Sequence, residues 1–178
     1  MYTEIEAKLK VESLKEVEDR LRGLGAEFAG EQLQEDILFD DAAGTMANND
    51  SCLRLRKQVM SGGTKYILSY KGAKEKSCFK KRREIEIEVN SGDSAKELLS
   101  ALGYEKKLTV EKKRSLWRFK GCEVALDQLK LLGDFIEIEG FDEKVIDDVQ
   151  KCLGLESIRH IPKSYASLIA EKIREDEK

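Results

Sequence analysis

Charged residues stand at every second position in the N-terminal stretch TEIEAKLKV, where Glu4, Glu6 and Lys8 alternate with apolar residues. This alternation is typical of a β-strand whose two faces meet different surroundings. Two carboxylates at positions i and i+2 lie ~7 Å apart on such a strand. At an effective dielectric constant of ~20 they repel each other by about 2 kcal/mol. Mg²⁺ and Mn²⁺ prefer oxygen ligands, so this arrangement indicates a site for a divalent cation.

Charges of one sign share a strand face in later segments as well. The basic residues are Arg54, Arg56, Lys71, Lys112 and Arg114, and the acidic residues are Glu84, Asp127, Glu137 and Glu139. An ordinary solvated sheet face mixes both signs with Thr, Ser and Gln, and this interpretation stays open for any single strand. Taken together, the sorted charges favour an enclosed site. Arg and Lys suit a polyphosphate, so the predicted ligand is a metal–triphosphate complex.

The periodicity of the sequence predicts eight strands and four helices. Helices are expected at 13–25, 94–103 and 143–153 and after Pro162, and 41–50 is expected to form a longer loop. Strands are expected at 2–11, 33–40, 52–59, 64–71, 80–89, 108–119, 122–129 and 134–140. Strands joined mainly by short turns favour an antiparallel sheet that closes on itself.

The apolar strand faces indicate which side of this sheet is inside. Amphipathic helices can cover these faces from outside, which directs the charged faces inward. The predicted fold is therefore α+β, with a closed eight-stranded antiparallel β-barrel, a charged interior and helices packed outside. Glu-Ile-Glu recurs at Glu4, Glu84 and Glu137, each time in a strand followed by a helix that ends at Gly, which favours a pseudo-repeated scaffold.

The totals exclude several classes of protein. The 178 residues suit one domain spanning 1–178, and a net charge of −3 argues against nucleic-acid binding through bulk positive charge. No apolar run approaches the ~18 residues of a membrane span, and no signal peptide is evident, so a cytoplasmic chain is expected. The four cysteines form no C-x-x-C pair and are expected to be reduced thiols, and the single His160 excludes a multi-histidine metal site.

The ordered set of motifs resembles the CYTH proteins, or triphosphate tunnel metalloenzymes. This family includes class IV adenylyl cyclases, thiamine triphosphatases and inorganic triphosphatases. The resemblance runs from Glu-x-Glu-x-Lys at Glu4 through LRLRK, YK, RREIEIEV, KKR and LDQLKLLGDFIEIE to KSY, which carries Lys163 and Tyr165. It implies a closed eight-stranded tunnel, as the sidedness of the strands does independently.

The resemblance also implies roles for individual residues. Ligands of Mg²⁺ or Mn²⁺ would be Glu4, Glu6, Glu137 and Glu139. Phosphate contacts would be Lys8, Arg54, Arg56, Lys71, Lys112 and Arg114. Glu84 and Asp127 would orient these groups or act as auxiliary metal ligands, and Lys163 would contribute if the last helix plugs the tunnel. Tyr165 suits either the site or the core, and Trp117 is expected to be structural.

The leading function is that of a class IV adenylyl cyclase, which converts ATP to cyclic AMP and pyrophosphate. Many bacterial members carry His-Phe before the first motif, where this sequence has Met1, Tyr2 and Thr3. Two alternatives therefore stay open: a triphosphatase acting on inorganic triphosphate, thiamine triphosphate or a nucleoside triphosphate, and a non-catalytic nucleotide- or polyphosphate-binding module. The expected partner is a small triphosphate, without nucleic acid or membrane, and a homodimer is left open.

Overall fold

The computed structural model describes residues 3–73 and 80–176, and side chains within 5–73 and 82–176. The strands are β1 (Thr3–Lys10), β2 (Glu27–Asp40), β3 (Cys52–Met60), β4 (Gly63–Lys71), β5 (Lys80–Val89), β6 (Glu105–Phe119), β7 (Cys122–Leu129) and β8 (Gly133–Gly140). The helices are α1 (Leu14–Gly23), α2 (Thr45–Asn48), α3 (Gly92–Ala101), α4 (Glu143–Cys152) and α5 (Tyr165–Asp176). The predicted α+β class is confirmed.

The strands form one antiparallel sheet in which each pairs with two neighbours. The order is β1-β5-β4-β3-β2-β6-β7-β8, and β1 pairs with both β5 and β8. The β1–β5 contact is short, from Thr3–Arg83 to Glu6–Lys80, whereas β2 and β6 pair from Glu27–Arg118 to Asp40–Glu105. The predicted eight-stranded antiparallel sheet is confirmed, and it curls around a common interior.

Three helices cover the outer, apolar face of this sheet, as predicted. α1 and α4 pack on β1, β7 and β8, and α3 packs on β2 and β3. The larger core contains Ile5, Ala7, Leu9, Val124, Leu126, Ile136 and Ile138 from the strands and Val17, Leu21, Ile146 and Val149 from the helices. Trp117 is buried in the same core, so its predicted structural role is confirmed.

α5 does not follow the expectation that helices pack outside. Its Tyr165 and Ile169 pack against Val110, Leu129 and Phe135. These strand residues alternate on the same faces as Lys112, Asp127 and Glu137, so α5 contacts the charged side of the sheet. The physical reason is that this side also carries apolar residues, which give a helix something to bury.

Several boundaries also differ from the expectations. β2 begins at Glu27 rather than at 33, and the β2–β6 register shifts between Phe28 and Gly30, where Gly30 has φ +133°. This bulge interrupts the alternation that marks a strand in sequence. α3 begins at Gly92 because Ser91 accepts a hydrogen bond from the Ser94 backbone N–H.

Two further features can be compared with the sequence. Cys52, Cys122 and Cys152 are free thiols, and Cys78 lies outside the described residues. Among the helices of the described ranges, none has the length and apolar character needed to cross a bilayer.

Candidate active site

Charged side chains from all eight strands line a cavity of about 1090 Å³ in the interior of the sheet. They include Glu6 and Lys8 of β1, Asp36 of β2, Arg54 and Arg56 of β3, Lys71 of β4, Arg82 and Glu84 of β5, Lys112 and Arg114 of β6, Glu123 of β7, and Glu137 and Glu139 of β8. Their i, i+2 spacing directs them to one face of each strand, and the curl of the sheet brings these faces together. We call this space the interior cavity.

On one side of the cavity, the basic residues of β3 and β4 pair with acids of β2 and β5. Arg56 donates to both carboxylate oxygens of Asp36, at 2.6 and 2.8 Å. Lys71 donates to Glu84 Oε2 at 2.6 Å, and Arg54 Nη2 lies 3.6 Å from Glu84 Oε1. The fork of Arg56 is thus held in a bidentate geometry, the same geometry that guanidinium groups use on phosphate.

A second network joins β6, β7, β8 and β1. Arg114 donates to the two oxygens of Asp127 at 2.6 and 2.5 Å and also to Glu137. Lys8 Nζ lies 2.9 Å from Glu137 Oε1 and 3.1 Å from Glu6 Oε1. Asp127 is fully buried, so it orients Arg114 from behind the cavity surface.

The pKa shifts follow from these pairs. Burial disfavours charge on Asp36, but Arg56 and Arg54 outweigh it and hold the pKa of the Asp36 carboxyl well below its ordinary value. Burial likewise opposes charge on Lys8, yet the adjoining carboxylates, Glu6 foremost, hold its pKa above the ordinary value. The cavity therefore keeps its charges because each has a partner of opposite sign.

The C-terminal segment reaches the cavity through Tyr165 rather than through Lys163. The Tyr165 hydroxyl donates to Asp127 Oδ2 at 2.9 Å. The Lys163 carbonyl accepts a long hydrogen bond from Lys8, whereas its ammonium is exposed and binds Glu171 at 2.8 Å. The Lys163 side chain thus pairs with Glu171 of α5, a residue that also lines the interior cavity.

The predicted metal ligands lie on adjacent strands in register. Glu6 is opposite Glu139 in the β1–β8 ladder, and Glu139 is opposite Glu123 in the β7–β8 ladder. Within the described residues, no three or more His, Cys, Asp or Glu side chains are grouped to hold a metal ion. The backbone of Glu4 lies in β1, and its side chain is outside the described set. The donor set fits Mg²⁺ or Mn²⁺ in kind, since neighbouring carboxylates face the cavity.

Sequence reasoning missed Asp36 and Ser69 as site residues and passed over Arg82. Asp36 binds Arg56, Ser69 Oγ accepts from Arg54 Nε at 3.1 Å, and Arg82 binds Asp50 at 3.0 Å. The sequence could have indicated all three residues. Each is separated by an even number of positions from an inward-facing residue of its own strand, so it shares the inward face.

Known proteins resemble this chain in sequence. A family model described as the CYTH domain matches residues 2–165. The adenylate cyclase CyaB of Aeromonas hydrophila is 27% identical over 180 residues, covering 96% of this chain and 90% of the relative.

Solved structures share the fold. The PH1819 protein of Pyrococcus horikoshii OT3 superposes with a TM-score of 0.83 at 30% identity, covering 95% of this chain and 99% of that chain. HpAC1 of Hippeastrum, a candidate adenylyl cyclase with a dominant triphosphatase activity, superposes with a TM-score of 0.72 at 19% identity, covering 96% of both chains.

Proposed function

Because the chain belongs to the CYTH domain family, we propose that it is a divalent-metal-dependent enzyme that acts on a triphosphate inside a closed tunnel formed by the curled sheet. The proposed reaction is that of a class IV adenylyl cyclase, in which the ribose 3′-oxygen of ATP attacks the α-phosphorus. A P–O bond forms to the 3′-oxygen, the bond to the bridging oxygen breaks, and pyrophosphate leaves.

The observation that supports this proposal is the interleaving of opposite charges around the interior cavity. Arg56 pairs with Asp36, Lys71 with Glu84, and Arg114 with both Asp127 and Glu137. An anion bound without metal would pair with the bases and leave their acidic partners unpaired. A cation bound alone would pair with the acids and leave the bases unpaired. A metal–triphosphate complex carries both signs and can compensate both sets.

The basic residues would bind and orient the phosphate chain. Arg54 and Arg56 offer planar donors to the phosphate oxygens, and Lys8, Lys71, Lys112 and Arg114 would surround the same chain. Fixed positive charge near the leaving pyrophosphate would stabilise the negative charge that develops there. Asp36, Glu84 and Asp127 would hold these cations in place, as they do in the structure.

The carboxylates at the β1–β8 edge would hold the metal. Glu6, Glu137 and Glu139, with Glu4 two residues earlier on β1, supply oxygen ligands for Mg²⁺ or Mn²⁺. When bound, the ion would act as a Lewis acid on a phosphoryl oxygen and lower the pKa of the attacking group.

Triphosphate hydrolysis is the second candidate function. The proposed cavity contacts are to the phosphate chain and the metal. Both groups take part in hydrolysis as well as in cyclisation, so these contacts suit either reaction. HpAC1 of Hippeastrum, with its dominant triphosphatase activity, has the same fold. In this reaction water would attack the terminal phosphorus, and the bond from that phosphorus to the bridging oxygen would break. Orthophosphate would be released, with the rest of the substrate as the diphosphate leaving group.

Product analysis separates these functions. The protein is incubated with ATP, thiamine triphosphate and tripolyphosphate, with Mg²⁺, with Mn²⁺ or with a chelator. We expect cyclic AMP and pyrophosphate from ATP, only when metal is present. Release of orthophosphate instead would establish the triphosphatase. Binding without turnover would establish a binding module. A protein that neither binds nor converts any of the three compounds would overturn the proposal.

A pair of variants tests the metal assignment in the same assay. Glu6→Gln keeps the shape of the side chain but removes its charge, so we expect metal-dependent turnover to fall at least ~100-fold. Glu88→Gln is the control, because Glu88 is an exposed residue that pairs with Lys65 at 3.1 Å. Unchanged turnover in Glu6→Gln would remove Glu6 from the metal site.

A further inference from the structure

Tyr165, the first residue of α5, is buried beside charged groups that belong to the interior cavity. Its hydroxyl donates to Asp127, and its ring packs edge-on against Phe135 with the ring centroids 5.3 Å apart. Ile169, one turn further along α5, packs in the same apolar cluster. The ring is thus fixed both at its polar end and along its edge.

Two lysine ammonium groups lie against this ring. Lys8 Nζ is 4.3 Å from the ring centroid and Lys112 Nζ is 5.0 Å from it. Both distances are within the ~6 Å at which a cation is attracted to an aromatic face. Lys8 is on β1 and Lys112 on β6, and β8 and β7 lie between these strands in the sheet. The Tyr165 ring is therefore a contact common to two lysine side chains that no strand pairing joins.

We propose that Tyr165 is a positioning residue that holds the ammonium groups of Lys8 and Lys112 for contact with a bound triphosphate. The inference rests on the proposed function, because it takes both lysines as triphosphate contacts. It adds a role for α5 in the site, whose proposed phosphate and metal contacts lie on strands.

An aromatic ring suits this task better than another carboxylate would. An ammonium group has three N–H donors, and a carboxylate partner accepts them directly. The π face attracts the positive charge without accepting a conventional hydrogen bond, so it takes up none of the N–H donors. Those of Lys8 contact Glu6, Glu137 and the Lys163 carbonyl, and phosphate oxygens would replace these partners while the ring keeps the ammonium in place. It also adds no negative charge that would repel the triphosphate.

Variants of Tyr165 separate the ring from the hydroxyl. Tyr165→Leu removes both, whereas Tyr165→Phe keeps the ring. Calorimetric titration with Mg²⁺–tripolyphosphate at pH 6, where both lysines are charged, should show about tenfold weaker binding for Tyr165→Leu and a change within about twofold for Tyr165→Phe. Ile169→Ala is the packing control, expected to lower the melting temperature but not the affinity.

Three outcomes of this titration would overturn the inference: unchanged affinity in Tyr165→Leu, equal losses in the Leu and Phe variants, or an equal loss in Ile169→Ala.

A second measurement does not depend on triphosphate binding. In protein labelled with ¹³C-lysine, the ε-methylene groups of Lys8 and Lys112 should show ring-current shifts that persist in Tyr165→Phe and vanish in Tyr165→Leu. Absence of these shifts in the wild-type protein overturns the inference. Wild-type protein that shows the shifts but binds no Mg²⁺–tripolyphosphate overturns the proposed function instead.

Discussion

At the scale of single residues, Lys112 is a buried base whose charge depends on its surroundings. Burial, together with the positive charges of Arg114 and Arg56, lowers the pKa of its ammonium to about 7. Asp127, 3.7 Å away, opposes this shift only in part. Lys112 therefore loses its proton at a pH where an ordinary lysine remains charged. A nearby phosphate chain favours the charged form and would raise the pKa again.

We expect the binding of tripolyphosphate at pH 8 to take up about one proton, because Lys112 is mostly neutral before binding and charged after it. Affinity should accordingly fall as the pH rises through 7. Calorimetric titrations in two buffers of different ionisation enthalpy measure the uptake. Lys112→Met should abolish it, whereas Lys113→Met, at an exposed neighbour that binds Glu31, should retain it. Binding by wild-type protein without proton uptake would contradict this assignment.

Strand periodicity predicts a cavity residue well where the residues on either side of it are also charged. Arg54 and Arg56 reinforce each other in this way, and both line the cavity. Asp36 was missed because its same-face neighbours, Gln34 and Leu38, are uncharged. Lys163 precedes α5 in a segment without strand periodicity, so the sequence did not define the direction of its side chain.

At the scale of elements, two successive carboxylates order the segment between β2 and β3. Asp41 accepts hydrogen bonds from the backbone N–H and the hydroxyl of Thr45 at 2.9 and 2.5 Å. Asp40, the last residue of β2, accepts hydrogen bonds from the backbone N–H groups of Asp41, Met46 and Ala47 at 2.9, 2.8 and 3.0 Å. These bonds satisfy backbone N–H donors at the start of α2, where no preceding helical turn supplies carbonyl acceptors. Met46 and Ala47 in turn line the interior cavity, so Asp40 helps to shape it.

Asp40→Ala should lower the free energy of unfolding by about 1–2 kcal/mol, because it removes the partner of several helix-start N–H groups. Hydrogen exchange at Met46 and Ala47 should accelerate more than exchange in α4. Asp19→Ala, at an exposed residue of α1, is the control and should change stability by less than ~0.5 kcal/mol. Exchange at 46 and 47 that matches the wild type would show that α2 is ordered by other contacts.

An element could be predicted where its hydrophobic periodicity continues over many residues. β1, β7 and β8 and helices α1 and α4 lie close to their expected positions. α2 was not predicted, since four residues show no helical repeat and its first N–H groups are bonded by Asp40 and Asp41 rather than by a side chain at the N-cap. The start of α3 was placed too late because Ser91 and Ser94 are both suitable caps, and only the structure shows that Ser91 is used.

At the scale of the whole molecule, the sequence predicts the sidedness of the sheet but not the place of every helix. Strand alternation assigns each charge to one face, and α1 and α4 match the opposite face in length and apolar pattern. α5 was not distinguishable from them, because Ile169 and its neighbours would suit either face. Its place depends on Val110, Leu129 and Phe135, apolar residues that stand among charges on three different strands.

The same arrangement determines how the fold should respond to ligands. Interior cations and carboxylates neutralise each other, so a ligand of one sign must break ion pairs that it cannot replace. Mg²⁺ and tripolyphosphate together can replace both partners, and at 100 times the dissociation constant a ligand stabilises the native state by about 2.7 kcal/mol. We expect the melting temperature to rise more with Mg²⁺–tripolyphosphate than the sum of the rises with each alone. Magnesium sulfate at matched ionic strength is the control, and an equal rise with sulfate would show that the effect is general screening rather than occupation of the interior cavity.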